Sequence, residues 1–425
     1  MRILFSTLIM IASSSAMAGS LPFRVVKTDS AAKSKDTIYE QNGISVIRQA
    51  TATDASFADI YIANVAGAKI AIQAQKYGEV LHTEPGEFFI LKIEEDNKIA
   101  ELSGLLHEAG LACGAVLAVD GSVMANEPVT APAPLIAVTE KNAAVTRAAQ
   151  SANGDNIRAT IEELSANHTR FHSSPTGQQV ANQLTTLYRA LAQGREDVEI
   201  LSFDHGSITP QDSLIVRIKG TTRPNEVVVL GSHLDSVNRW GGSSERSPGA
   251  DDNASGTSTN LEVFRVLMEQ GIRPQRTIEI HAYAAEEIGL KGSQDIAAKY
   301  KAQRVEVISM VQFDMNIYSA AAAAKIWLVS NNTNADLNTS LTNLIDSYVS
   351  LPWGTKVLSG GNSDHYSWTR NGFAAAFPFE DPANYNDHIH TSDDTIEKSG
   401  RIDQAVGFAK LGVAYLSHFA GITTL

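Results

Sequence analysis

The sequence predicts an α/β protein: a mostly parallel sheet covered by helices on both faces, preceded by a small α+β domain. Two patterns in the chain carry this. From about residue 155 onward, short runs rich in β-branched residues alternate with amphipathic stretches of helical length, as strand–helix–strand units do. One of those runs, 227–230, is continuously apolar, which suits a strand buried on both faces, and 276–284 and 305–313 read as two further buried strands. A Pro-rich stretch at 127–134 (EPVTAPAP) separates this region from a segment of different texture.

In chain order, residues 1–18 read as a secretory signal. Arg2 supplies a thin positive end, 3–12 the apolar segment, and Ala16-Met17-Ala18 the small-x-small cleavage pattern. The apolar segment is short for a bilayer span. Export is therefore expected, to the outside or the periplasm, with no membrane attachment once the signal is removed. Residues 19–126 form the small α+β unit, with strands expected at 58–65, 68–73 and 87–93, a helix at 98–109 and an apolar run at 111–119. Its polar candidates, His82 and His107, are isolated, and a surface or core role is expected for each. With its own texture and an exposed linker, this unit reads as a propeptide, the alternative being a permanent accessory domain; residues 127–154 are linker and lead-in, and 155–425 the main domain.

In the main domain, helices are expected at 157–164, 177–192, 257–270, 292–302, 336–349 and 402–419. Strands are expected at 198–203, 213–219, 227–230, 276–284, 305–313, 325–330 and 373–377. The helix beginning at Thr257 is stopped by Gly271, with Pro274 beyond. A net charge of −13 argues against binding nucleic acid through a general basic surface. The single cysteine, Cys113, excludes an intramolecular disulfide.

Chemistry concentrates where the buried strands end. His233 and Asp235 follow the first, Glu286 and Glu287 the second, and Asp314 the third. Asp251 precedes a helix and His390 sits in a late loop. Open α/β sheets place ligands at the carboxyl ends of their strands. One acidic residue there is ordinary, but this many carboxylates at one edge repel one another and call for a divalent cation. Two histidines with three carboxylates favour zinc over calcium. Five ligands with one carboxylate shared suit two zinc ions about 3.5–4 Å apart. Of the adjacent Glu286 and Glu287, one can bind metal while the other takes a proton from the attacking water.

At these residues the chain resembles the secreted bacterial leucyl aminopeptidases, co-catalytic di-zinc enzymes of the zinc-peptidase superfamily. The resemblance runs from about 155 to the C-terminus. It rests on SHLDS at 232–236, PGADDNASG at 248–256, AYAAEEIGLKGSQD at 282–295, FDM at 313–315 and IHTSDDT at 389–395. It implies that Asp251 bridges two Zn2+, with Glu287 and His390 completing one site and His233 and Asp314 the other. It further implies Glu286 as general base, Asp235 orienting His233, and a cis peptide joining Asp251 to Asp252. Met315, Phe379, Tyr385 and Ile389 resemble the apolar wall that receives the substrate's first side chain. The implied partners are peptide or protein N-termini, with a monomer as the working form.

One departure stands out. Where well-known members place a cysteine pair around a tyrosine, this chain has Leu358, Ser359, Gly360, Gly361 and Asn362. A hydroxyl assisting the reacting carbonyl would have to come from elsewhere, Tyr366 or Tyr385 being candidates. Other readings are weaker. There is no G-x-S-x-G and no H-E-x-x-H. A metallo-carboxypeptidase needs a cationic clamp, for which Arg370 and Lys356 are poor candidates. A glutaminyl cyclase normally manages with one zinc, and a non-catalytic ectodomain should have lost ligands or the base.

Overall fold

The structure, a computed structural model, describes residues 21–27, 34–112, 114–125, 136–137, 140–321 and 323–423. The expected signal, the Pro-rich stretch and Cys113 lie outside them.

The N-terminal region folds as two antiparallel sheets and a helix. Strands β1 (Phe23–Lys27), β2 (Thr37–Gln41) and β3 (Ile44–Arg48) pair in the order β1-β3-β2. Strands β4 (Ile60–Asn64), β5 (Glu79–Glu84), β6 (Phe88–Lys92) and β7 (Val116–Ala118) pair as β5-β6-β4-β7, with helix α1 (Asp96–Glu108) between β6 and β7. The stretch 68–73, expected as a strand, is irregular, because a turn closing Ala68 N–H on the Val65 carbonyl at 3.0 Å breaks the run. The polar β5 (EVLHTE), unmarked by any apolar run, is the strand that takes its place beside β6.

The lead-in expected before residue 155 is built into the main domain. Helix α2 (Ala143–Gln150) buries Val145, Ala148 and Ala149 in the main core. After it come α3 (Gly154–Ser165) and α4 (Pro175–Leu191), the latter opened by Ser174, whose hydroxyl accepts from Gly177 N–H, and by Pro175 in the first turn.

Next follow β8 (Val198–Phe203), β9 (Ser213–Ile218), β10 (Arg223–His233), α5 (Gly256–Glu269), β11 (Arg273–Pro274) and β12 (Arg276–Tyr283). Then come α6 (Lys291–Ala302), β13 (Glu306–Gln312), β14 (Ile326–Val329), α7 (Ala335–Leu344), β15 (Trp353–Lys356) and α8 (His365–Arg370). The chain closes with β16 (Ala375–Ala376), β17 (Pro378–Phe379), α9 (Ile396–Ser399), α10 (Ile402–Ala420) and β18 (Ile422–Thr423).

The central sheet runs β16-β13-β10-β12-β9-β8. The first four strands are parallel, and β9 and β8 join antiparallel at one edge. Strand β14 is not part of it; with β15 and β17 it makes a separate three-stranded sheet. Alternation along β10 divides the core. Val228 and Leu230 pack under α5 and α10, while Val227 and Val229 pack with Ile296 and Trp368 of α6 and α8. Both faces are thus covered.

The two regions share their cores. Leu91, Ile99, Leu102 and Leu106 pack with Phe171, Val237, Ala285 and Ile288. Tyr366, from α8, is buried among Phe23, Ile38 and Phe88. Gly104 of α1 sits so close to the loop after β10 that a Cβ there would lie 2.4 Å from Arg239 Cβ. Gly104→Val should therefore cost about 1–3 kcal/mol through overpacking. Denaturant unfolding of the full chain reads the loss, and limited proteolysis should show the N-terminal region becoming more easily cut.

Candidate metal centre

The parallel strands of the central sheet deliver the site. His233 is the last residue of β10, and Tyr283, its register partner on β12, precedes the turn that carries Glu286 and Glu287. That turn passes through Ala285 at φ 53, a left-handed conformation that sends the chain back across the sheet edge. Asp314 follows β13, two residues past Gln312, the partner of Gly231. His390 arrives from the loop before α9.

Two groups of metal-binding side chains form, and they share one residue. His233, Asp252 and Asp314 make the first; Asp252, Glu287 and His390 make the second. Asp252 turns one oxygen to each histidine. Its Oδ1 lies 3.0 Å from His233 Nε2 and its Oδ2 lies 3.1 Å from His390 Nε2. Each histidine meets a second carboxylate: His233 Nε2 is 3.4 Å from Asp314 Oδ1, and His390 Nε2 is 2.8 Å from Glu287 Oε2. All five residues are buried.

The shared carboxylate corrects the expectation by one position: Asp252 holds it, and Asp251 does not join either group. Asp251 Oδ1 accepts from Ile317 N–H at 3.1 Å and its Oδ2 from Asn386 Nδ2 at 3.0 Å, so both oxygens point away from the histidines. The cis peptide is likewise one residue later, between Asp252 and Asn253. Behind Asp251 lies Glu380, also buried. Burial, reinforced by the neighbouring carboxylates Asp394 and Asp251 respectively, raises Asp251 and Glu380 well above the ordinary carboxylate range.

Around the groups stands a scaffold of hydrogen bonds. Asp235 accepts from Glu286 N–H at 3.0 Å and from Glu287 N–H at 3.1 Å. Its Oδ1 also lies 3.4 Å from His233 Nδ1, close to the orienting role expected of it. Asp394 does the same for the other acidic pair, accepting from Asp251 N–H and Asp252 N–H, each at 3.0 Å. Ser363 Oγ donates to Asp314 Oδ2 at 2.6 Å. The buried Arg170 guanidinium ties two ligand loops together, donating to the carbonyls of Leu234, Pro248 and Gly249. Arg170 and Asp394 escaped the sequence reading, and Ser363 drew notice there only as a nucleophile, a role its hydrogen bond to Asp314 does not suggest. The aspartate stood in the quoted IHTSDDT motif; a lone arginine in NHTRFHSS carries no signal.

The electrostatics are those of a crowded acidic pocket. Burial pushes Glu287 up to about 7, with Asp252 adding to the shift. Glu286 is held well above the usual carboxylate range by burial, which the field of His233 only partly offsets. Asp252 goes the other way: despite burial, the hydrogen bonds with His233 and His390 keep it low. Oxygens Oε1 of Glu286, Oε1 of Glu287 and Oδ1 of Asp314 are buried and accept no hydrogen bond. Buried acceptors without donors are costly, and a divalent cation satisfies them. The residues therefore fit a metal.

The four expected pocket residues come together. Met315, Phe379 and Ile389 are buried in one cluster with Leu358 and Phe377, and Tyr385 packs against it. Tyr366 is taken up by the N-terminal core instead. Arg370 donates to Gln294 Oε1 at 3.1 Å and the Ile38 carbonyl at 2.8 Å, and Lys356 pairs with Asp381 at 2.6 Å. Neither is placed to clamp a substrate carboxylate. His107, expected to stand apart, lies with its ring centroid 6.3 Å from that of His390.

Fold and site together define a metallohydrolase of the α/β class. A model of peptidase family M28 matches residues 213–409. The chain is 36% identical to leucine aminopeptidase 1 of Arthroderma otae over 280 residues, which are 63% of this chain and 74% of that protein. It is 35% identical to a probable aminopeptidase of Saccharomyces cerevisiae over 57% of this chain and 67% of the relative. Among solved structures, the LapA aminopeptidase of Legionella pneumophila superposes with a TM-score of 0.72 at 28% identity, over 85% of this chain and 98% of LapA. A glutaminyl cyclase from an Acidobacteriales bacterium shares the fold, at 17% identity and a TM-score of 0.50. The chain belongs to peptidase family M28, and it is a metallo-aminopeptidase.

The adjacent aspartates are separable by experiment. Asp252→Asn should lose most of its metal, while Asp251→Asn should keep it and lose about 1–3 kcal/mol of stability through a mispaired buried amide. Metal analysis and denaturant unfolding of both variants check this.

Proposed function

We propose that the protein is an exported aminopeptidase that uses two zinc ions to release leucine and other apolar first residues, held in check by residues 19–126 until the linker is processed. The observation that carries the reading is the shared carboxylate of Asp252, one oxygen to each of two histidines, with Glu286 beside it. His233, Asp252 and Asp314 would hold one zinc, and Asp252, Glu287 and His390 the other. When bound, the ions supply the positive charge that lowers the pKa of water and polarises a carbonyl.

The chain's own part in the chemistry falls to Glu286. Its carboxylate takes the proton from the attacking water and passes it to the leaving amine. Asp235, through the N–H groups of both glutamates, fixes where that carboxylate stands. The apolar cluster of Met315, Phe379 and Ile389 supports a preference for an aliphatic first side chain, as does the likeness to leucine aminopeptidase 1. The occupied cations at Arg370 and Lys356 favour release from the N-terminus over the C-terminus. Residues 1–18 support export, and the shared cores support a restraining N-terminal region.

Glu286→Gln should keep metal and fold while kcat falls by about 10²–10⁴. Glu287→Gln, with a neutral amide in a ligand position, should instead lose metal and melt at a lower temperature. Metal content, Tm and turnover of both variants test the division. Leucine p-nitroanilide should be cleaved faster than the glycine or glutamate anilides by a factor equivalent to about 1–3 kcal/mol or more. Faster cleavage after glutamate would overturn the pocket.

A further inference from the structure

Beyond α1 a segment of the chain enters the apolar cluster of the expected pocket at Ala112. Ala112 is buried against Met315, Val329, Leu358, Phe377, Phe379 and Ile389. Its N–H donates to the Ser359 carbonyl at 3.1 Å. The approach is close enough to require glycine on both sides. A Cβ on Gly114 would stand 2.1 Å from the Asn362 carbonyl oxygen, and one on Gly360 would stand 2.8 Å from Leu111 Cδ2. So the 358–362 loop, which departs from the pattern of the enzymes the chain resembles, is the surface the segment rests on.

Tyr385 holds the segment's backbone. Its hydroxyl donates to the Leu111 carbonyl at 3.1 Å and lies 3.2 Å from His107 Nδ1. The His107 ring thus stands against the hydroxyl and buttresses it from the side of α1. An apolar side chain in the pocket, and a backbone carbonyl bound to the pocket's hydroxyl, are what a bound peptide would present. Alanine fills the pocket less than leucine would and buries less apolar surface there. The occupant is one that a better-fitting side chain can displace.

We propose that Ala112, with the Leu111 carbonyl beside it, stands in the pocket in place of substrate, and that Tyr385, released from the Leu111 carbonyl when the segment withdraws, gives the same hydrogen bond to the carbonyl of the incoming peptide. This rests on the aminopeptidase reading and on the pocket described above. Tyr385 then serves two exclusive partners: it keeps the N-terminal region closed, and it binds substrate once that region has moved.

The test uses the full chain loaded with zinc, with leucine p-nitroanilide as substrate. Ala112→Asp places a charge in the apolar pocket and should raise kcat/KM by about tenfold or more, the gain expected if the closed form holds nine chains in ten. His107→Ala, which removes the ring that buttresses Tyr385, should act in the same direction and guards against misfolding of the first variant. Tyr385→Phe should lower kcat/KM about tenfold in the Ala112→Asp background, the worth of one neutral hydrogen bond. In the parent chain it should lower it much less or raise it, because the same change frees the segment. Unchanged activity in both Ala112→Asp and His107→Ala would overturn the proposal. So would an equal loss on Tyr385→Phe in both backgrounds, which would mark the hydroxyl as indifferent to the segment. Absence of turnover in every zinc-loaded chain would instead remove the aminopeptidase reading beneath it.

Discussion

The site depends on one interaction used twice: a buried aspartate that accepts both backbone N–H groups of an acidic pair. Asp235 does this for Glu286 and Glu287, and Asp394 for Asp251 and Asp252. Hydrogen bonds to an ionised carboxylate are about twice as strong as neutral ones. They fix the backbone on which adjacent acidic side chains then diverge. In each pair one carboxylate joins a metal-binding group and the other does not. Glu286 stays beside the centre with its buried Oε1 accepting no hydrogen bond, while Asp251 is turned into a network with Ile317, Asn386 and Glu380.

Such crowding is costly in a protein without a cation. Burial and like charge push Glu287 up to about 7 and Asp394 up to about 6, against ordinary carboxylate values near 4. Stability that would follow from pairing is therefore withheld until positive charge arrives, which links metal binding to the order of the loops. The Arg170 guanidinium supplies part of that charge from behind, joining the Leu234 and Gly249 carbonyls without touching the reacting side. Burial lowers even this arginine, to about 10, yet it stays charged near neutrality.

The N-terminal region belongs to the same argument. Its helix α1 packs on Val237, Ala285 and Ile288, residues of the loops that carry His233 and the two glutamates. A region that shares a core with the ligand loops steadies them. The same region also buries Ala112 among Met315, Phe379 and Ile389. Removing the region would expose the apolar surface of both clusters. Gly104, Gly114 and Gly360 mark how closely the surfaces meet.

The sequence by itself determined the class of fold and the composition of the centre. The continuous apolar run at 227–230, with the β-branched stretches 276–284 and 305–313, pointed to a sheet buried on both faces. Each run ended in a histidine or carboxylate, because strand periodicity and the end of an apolar run are local properties. Which of two adjacent aspartates faces the histidines is not local: Asp251 and Asp252 have the same side chain and nearly the same neighbours in sequence. Contacts with Ile317 and Asn386, 66 and 135 residues away, decided it. The antiparallel edge of the sheet and the separation of β14 were likewise settled by pairing, which apolar runs do not encode. His107 beside His390, and Leu111 under the Tyr385 hydroxyl, are meetings across more than 270 residues that no spacing could announce. They exist because the face of α1 that buries its leucines must lie against the loops of the centre, and that fit is a property of two folded surfaces.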